Sequence, residues 1–323
     1  MGQRPEIIVN SAKDFLTKFE THADYEAYIN GSDKVLPNVS YCVNENEVHY
    51  NPYTDPMLII KINVTTTSEP TNIMSDESVN PFDGVVIDGV EQPSVVSSYT
   101  FDSIGEHTIK FLLADPLEIG ECAFQNCRNV TWVSIPDSVT VIGNNAFREC
   151  SLTSVKIPDS VTTIDFNAFM DCTSLTKVVI GNGVTEIGEA SFLGCTSLAN
   201  VKFGNSVTVI GVDAFNGCSA LTSIVIPDNI LTIDDNAFMN CHSLKRIVLG
   251  SGITSIGESA FKQCSALVII DSLATTAPRI QEDTFQGAKT GGRITVPSGS
   301  TGYDVWMGTG DYYLGKYNWN IYN

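Results

Sequence analysis

The stretch IPDSVTVIGNNAFREC, Ile135 to Cys150, is followed by IPDSVTTIDFNAFMDC, Ile157 to Cys172. These near-copies set a beat that extends to both sides. Cys127, Cys150, Cys172, Cys195, Cys218, Cys241 and Cys264 are 23, 22, 23, 23, 23 and 23 residues apart. A phenylalanine stands three residues before each: Phe124, Phe147, Phe169, Phe192, Phe215, Phe238 and Phe261. Phe285 ends the series one residue late, with Ala288 in the cysteine's place. A fixed period of this length marks a solenoid, whose repeats each touch only their neighbours.

Each unit holds two extended pieces. The first is Leu-x-x-Val-x-Ile, as in Leu152, Val155 and Ile157; the second is Val-Thr-x-Ile, as in Val161 and Ile164. Their β-branched residues favour strands. Pro136, Pro158 and Pro227, or Gly181 and Gly204 at the matching positions, turn the chain between them. The Ala-Phe-x-x-Cys stretch is expected to close the coil with a tight or short helical turn. A single coil cannot bury its own apolar face. Stacked coils can, with neighbouring strands pairing in parallel at about 4.8 Å. The coil after Cys150 has lost one residue, since Ser151 leads straight to Leu152.

The pattern C-x-S-L-T-x-V-x-I-P-x-S-V-T-x-I-G-x-x-A-F, carried from Cys172 through Phe192 and again from Cys218 to Phe238, resembles the BspA-type leucine-rich repeat, also called the Treponema pallidum type. The resemblance covers about half of the chain. It implies a mainly β leucine-rich-repeat solenoid, here of about eight coils. It also implies a surface protein of a bacterium or protist, often adhesive. The Leu36–Cys42 and Val48–Pro52 segments further resemble leaders of Bacteroides-type and prophage-encoded proteins.

Four regions follow: 1–57 as an attachment or assembly segment, 58–114 as a small immunoglobulin-like β unit, 115–290 as the repeats, and 291–323 as a C-terminal cap. In 1–57, Ser11 is placed to cap a short amphipathic helix with Phe15, Leu16 and Phe19. LPNVSYCVNENEVHYNPYTDP reads as a hairpin. In 58–114, short β-rich runs alternate with turn signals such as Asp83-Gly84, Asp88-Gly89 and Gly105, which predicts four to six strands. In the tail, Tyr303, Trp306, Tyr313 and Trp319 are expected to cover the end of the stack. An exposed aromatic patch for sugar is the rival reading.

The net charge is −19, with 43% apolar and 17% charged residues. The apolar share is enough for folding. The acidity disfavours nucleic acid and anionic membrane as partners. No run approaches the roughly 18 apolar residues of a membrane span, so membrane insertion is not expected. MGQRPEIIVNSAKDF has no apolar stretch of signal-peptide length. Both a removed leader and a chain made without one stay open.

No catalytic, metal or cofactor residue is expected. His22, His49, His107 and His242 fall in no nucleophile, metal or hydrolase motif. The seven phased cysteines lie in a line, whereas zinc needs ligands converging on a point. They read as small buried apolar groups and as free thiols, with Cys42 and Cys122 outside the column. Asp137, Asp159, Asp228 and the Asp234-Asp235 pair repeat along an edge rather than around a calcium centre.

The informative surface is the outward face of the Leu-x-x-Val-x-Ile strands, by alternation positions three and five. Position three holds Trp132, Ser154, Lys177, Asn200, Ser223, Arg246 and Ile269; position five holds Ser134, Lys156, Val179, Lys202, Val225, Val248 and Asp271. Trp132, Lys156, Lys177, Asn200, Lys202 and Arg246 form the candidate ligand face, about 30 Å over seven rungs. The expected function is non-enzymatic recognition or adhesion at a cell surface or outside the cell. The expected partner is a host-surface protein or glycan, with oligomerisation through the N-terminal segment as a further expectation. A phage or prophage virion component, tail-associated or fibre, is the alternative.

Overall fold

A computed structural model of the chain describes residues 57–76, 82–113, 117–310 and 313–323, and the backbone at 41–42 and 48–49. The chain divides into a leading unit ending at Met57 and a main unit, Leu58–Asn323. In the leading unit, Tyr41–Cys42 pairs antiparallel with Val48–His49, which is the expected hairpin. The expected helix after Ser11, and the rest of the 1–57 segment with its assembly role, lie outside the described residues.

The repeats of the main unit build a β-solenoid. Alternation works as read: in Arg246–Leu249, Ile247 and Leu249 are buried while Arg246 and Val248 face out. Ser154–Lys156, Lys177–Val179 and Asn200–Lys202 pair in parallel. So do Ser223–Ile226, Arg246–Leu249, Ile269–Ser272, Arg293–Thr295 and Asn320–Tyr322. With Val130–Ser134 this side carries nine strands, about one coil more than expected, because the cap segment itself supplies the last two rungs. The Val-Thr-x-Ile pieces form a second parallel side, from Glu118–Ile119 to Arg279–Ile280.

The Ala-Phe-x-x-Cys stretch makes a third side out of turns rather than helix. Two residues per coil sit in left-handed backbone: Asn145 and Glu149, Asn167 and Asp171, Asp213 and Gly217, Asn236 and Asn240. Asn, Asp and Gly tolerate that region best. The turns ladder too, since Phe147 N–H reaches Ala168 O and Phe215 N–H reaches Ala237 O, both at 2.8 Å. Where glycine replaces proline at the first corner, the cause is close approach. A Cβ on Gly204 would lie 2.1 Å from the Gly181 carbonyl oxygen.

Inside, the phenylalanines from Phe124 to Phe261 stack with centroids 5.2–5.3 Å apart and nearly parallel planes. Each column thiol from Cys150 onward donates to the carbonyl of the phenylalanine one coil back, as Cys195 Sγ to Phe169 O at 3.2 Å and Cys218 Sγ to Phe192 O at 3.4 Å. The thiols are buried and unbridged. Burial pushes Cys127, Cys172 and Cys241 up to about 12, from an ordinary 9.0, and holds Cys150, Cys195, Cys218 and Cys264 well above it.

The unit before the repeats has six strands: Met57–Val64, Thr71–Asn72, Phe82–Ile87, Val90–Glu91, Ser98–Tyr99 and Gly105–Leu113. Met57–Val64 pairs antiparallel with the first solenoid strand, placing Lys61 opposite Trp132. Phe82 and Phe111 pack on Phe124 at 5.6 and 5.5 Å. At the other end Trp306 meets Phe285 at 5.3 Å, and Tyr303, Trp306 and Trp319 are all buried. Their polar atoms are bonded: Trp306 Nε1 to Pro278 O at 3.0 Å and Trp319 Nε1 to Lys289 O at 2.7 Å. These three rings therefore cap the stack and are not an exposed sugar patch.

Two outcomes follow from the column. Phe192→Ala is expected to cost about 3–5 kcal/mol, read by urea denaturation; a loss under about 1 kcal/mol would contradict tight packing. The thiols set a pH response whose sign is fixed. The unfolded chain ionises near 9.0 while the folded column stays neutral, so stability is full below that pH and falls as pH rises above it. A replacement of the column cysteines by alanine is expected to flatten this alkaline slope in a thermal melt series.

Candidate functional site

The outward row is assembled by register. Ser154, Lys177 and Asn200 stand side by side, and Lys156, Val179 and Lys202 form the neighbouring column. Further along, Ser223, Arg246, Ile269 and Arg293 align, flanked by Val225, Val248, Asp271 and Thr295. Trp132, Lys156, Lys177, Asn200, Lys202 and Arg246 are all exposed, so the six candidate residues do share one surface.

Their electrostatic states differ. Lys156, Lys177 and Lys202 form no ion pair among the described residues. They step between the two columns on successive coils, which leaves three ammonium groups free to meet a partner. Arg246 is different: its Nε donates to Asp271 Oδ2 at 2.7 Å. Trp132 is braced from the preceding unit, with Lys61 Nζ over its ring at 5.8 Å and tied to Glu106 at 2.7 Å.

Two cations escaped the sequence reading. Arg293 continues the Arg246 column, and a signal existed, because Ile294-x-Val296-Pro297 repeats the phase of Val133-x-Ile135-Pro136. Lys61 had none, because it arrives from a non-repeating strand through antiparallel pairing.

The acids gather elsewhere. Glu118 and Glu186 stand on the Val-Thr-x-Ile side. Burial raises the carboxyls of Asp165 and Asp234 there, and Glu186 and Asp235 add to the effect at Asp234. The turn acids hold backbone: Asp159 Oδ1 accepts Asn182 N–H and Asp228 Oδ1 accepts Ser251 N–H, both at 2.7 Å. Bonds from Ser251 hold the Asp228 carboxyl below its ordinary value. His242 is exposed, with Nδ1 2.9 Å from Gln263 O. Among the described residues, no three His, Cys, Asp or Glu side chains converge to hold a metal, and no helix is long and apolar enough to cross a membrane.

The BspA type leucine rich repeat region matches residues 94–222 and 210–305 in six copies. No curated protein matches the chain. Several solved structures are similar. A leucine-rich repeat protein of Treponema pallidum is 24% identical over 46% of this chain and 79% of its own, with a TM-score of 0.39. A leucine-rich cell surface protein of Faecalibacterium prausnitzii is 29% identical, over 48% of this chain and 57% of its own, TM-score 0.31. A leucine-rich repeat protein of Bacteroides ovatus is 20% identical, over 64% and 75%, TM-score 0.32.

The geometry separates the ligand face from stability. Lys177→Glu with Lys202→Glu is expected to shift stability by no more than about 0.5 kcal/mol per site, since both side chains are exposed and unpaired. A large drop in melting temperature would show that the row is part of the scaffold.

Proposed function

The chain belongs to the BspA-type leucine-rich repeat family, and from that premise we propose that it is a non-enzymatic recognition protein, displayed at a cell surface or outside the cell. It binds a host-surface protein or glycan through the outward row of Trp132, Lys156, Lys177, Asn200, Lys202 and Arg246. One observation carries the reading: three unpaired lysines share one strand face on a chain of net charge −19. The lysines stand opposite Ser154, Val179 and Asn200 rather than opposite acids, so their charges are left for a partner.

The face suits an extended contact. Nine rungs span about 40 Å at strand spacing, and backbone ladders within 154–202 and within 223–322 hold the side chains in fixed relative positions. Val225, 60% exposed, adds apolar area beside the charges. Lysines of this kind act most on association rate and partner choice.

The test is charge reversal. A variant with Lys177→Glu, Lys202→Glu and Arg246→Glu is compared with the parent chain on host cells and on a glycan array. Parent binding that weakens with salt and falls at least about tenfold in the variant, roughly 1.4 kcal/mol, supports the reading. Unchanged binding overturns it.

A further inference from the structure

We infer that the cleft beside Trp132 is a subsite for a single neutral sugar ring, at the end of the outward row nearest the N-terminal unit. This rests on the proposed recognition role of that row and names the ligand class for one part of it. The cleft has a volume of about 420 Å³ and lies between the strands Val130–Ser134 and Ser154–Lys156, within the range of small-ligand sites.

The strand on its N-terminal side is paired differently from the later rungs. Lys177–Val179 is laddered on both sides. Val130–Ser134 instead pairs with Met57–Val64, with a register shift between Val130 and Trp132. It forms no ladder with Ser154–Lys156 among the described residues. Thr153 N–H to Thr131 O, at 3.1 Å, joins the two coils just before the cleft. The coil that follows is the one shortened at Ser151.

The lining selects the ligand class. Trp132, 37% exposed, offers part of a flat apolar surface. The hydroxyls of Ser134 and Ser154, the Lys156 ammonium and the Asp137 carboxylate supply donors and acceptors. Lys156 and Asp137 form no ion pair with each other or with other described residues, so neither is consumed. An anion would meet Asp137, and a cation would meet Lys156. A wholly apolar ligand would leave four polar groups without partners. A neutral pyranose avoids all three penalties. Its C–H face lies on the indole, and each hydroxyl both donates and accepts. Its orientation is fixed by the bracing of Trp132 through Lys61 and Glu106.

The chain carries its own reporter. Of its three tryptophans, Trp306 and Trp319 are buried, so ligand-induced quenching or shift of the exposed emission belongs to Trp132. The full chain is titrated with methyl glucoside, galactoside, mannoside and N-acetylglucosaminide, with glucuronate as the anionic control. A saturable change with one or more neutral glycosides is expected. In the Trp132 variants, which lack the reporter, affinity is read by isothermal titration calorimetry; affinity should fall at least about tenfold in Trp132→Ala and in Lys156→Ala and recover in part in Trp132→Phe. Circular dichroism confirms that each variant is folded. No saturable response to any neutral glycoside, or a response to glucuronate alone, overturns the inference. If charge reversal along the row abolishes cell binding while Trp132→Ala and all free glycosides change nothing, the sugar subsite falls and the wider recognition role stands.

Discussion

Every coil must rise by the same amount at every point of its circuit. Three sides of the solenoid are laddered by backbone hydrogen bonds, and the interior is filled by one ring per coil. Parallel strands fix the pitch near 4.8 Å, while the phenylalanines sit 5.3 Å apart by centroid. An offset stack satisfies both distances, because rings that slide past one another keep contact at a longer centroid separation. The thiols depend on the same pitch. Each reaches back one coil to a phenylalanine carbonyl, a bond available only when adjacent coils are in step. The corner glycines answer to it as well, since the preceding coil's carbonyl occupies the space a side chain would need.

A stack with uniform pitch has no natural end, and its last rungs would template further strands. The two ends are closed by unlike means. At the start, an antiparallel strand from a separate β unit covers Val130–Ser134, and Phe82 and Phe111 continue the ring column outward. At the finish, the column passes from Phe285 to Trp306, whose larger ring tilts by 47° and breaks the parallel stack. The tilted ring cannot be followed by another in the same orientation, so the column stops there. Tyr303 packs beside Trp306, its hydroxyl bonded to Ser272 Oγ and the Ala274 carbonyl.

What the sequence exposed and what it hid divide along this line. The Phe and Cys columns and the inward and outward strand positions are consequences of repetition, so a period and an alternation suffice to read them; the aromatic cap was legible instead from the cluster of rings in the tail. The 22-residue step at Ser151 was equally visible, though not its effect on the neighbouring strands. The state of the candidate face was less legible. Nothing in the repeat distinguishes Arg246, bonded to Asp271, from Lys177, bonded to no acid, because that difference depends on which residue occupies the next coil diagonally. Lys61 and the bracing of Trp132 depend on pairing between a repeating and a non-repeating unit, for which no periodic signal exists. The left-handed pairs such as Asn236 and Asn240 had a faint signature in their Asn, Asp and Gly content, but Glu149 and Gln263 at the same place dilute it.

The solenoid also lets an acidic chain carry a basic row on one side. A net charge of −19 repels an acidic partner at long range and keeps the molecules apart from one another. At physiological ionic strength that repulsion is largely screened beyond about 8 Å, so the field at contact is set by whichever side is presented. The carboxylates of Glu118 and Glu186 lie on the Val-Thr-x-Ile strands, a separate side of each coil from Lys156, Lys177 and Lys202 on the outward row. A globular chain would have to scatter such charges over a curved surface. Here, a substitution at an outward position changes one rung of one side and leaves the pitch untouched, so the acidity of one side and the basic row of another can be set independently.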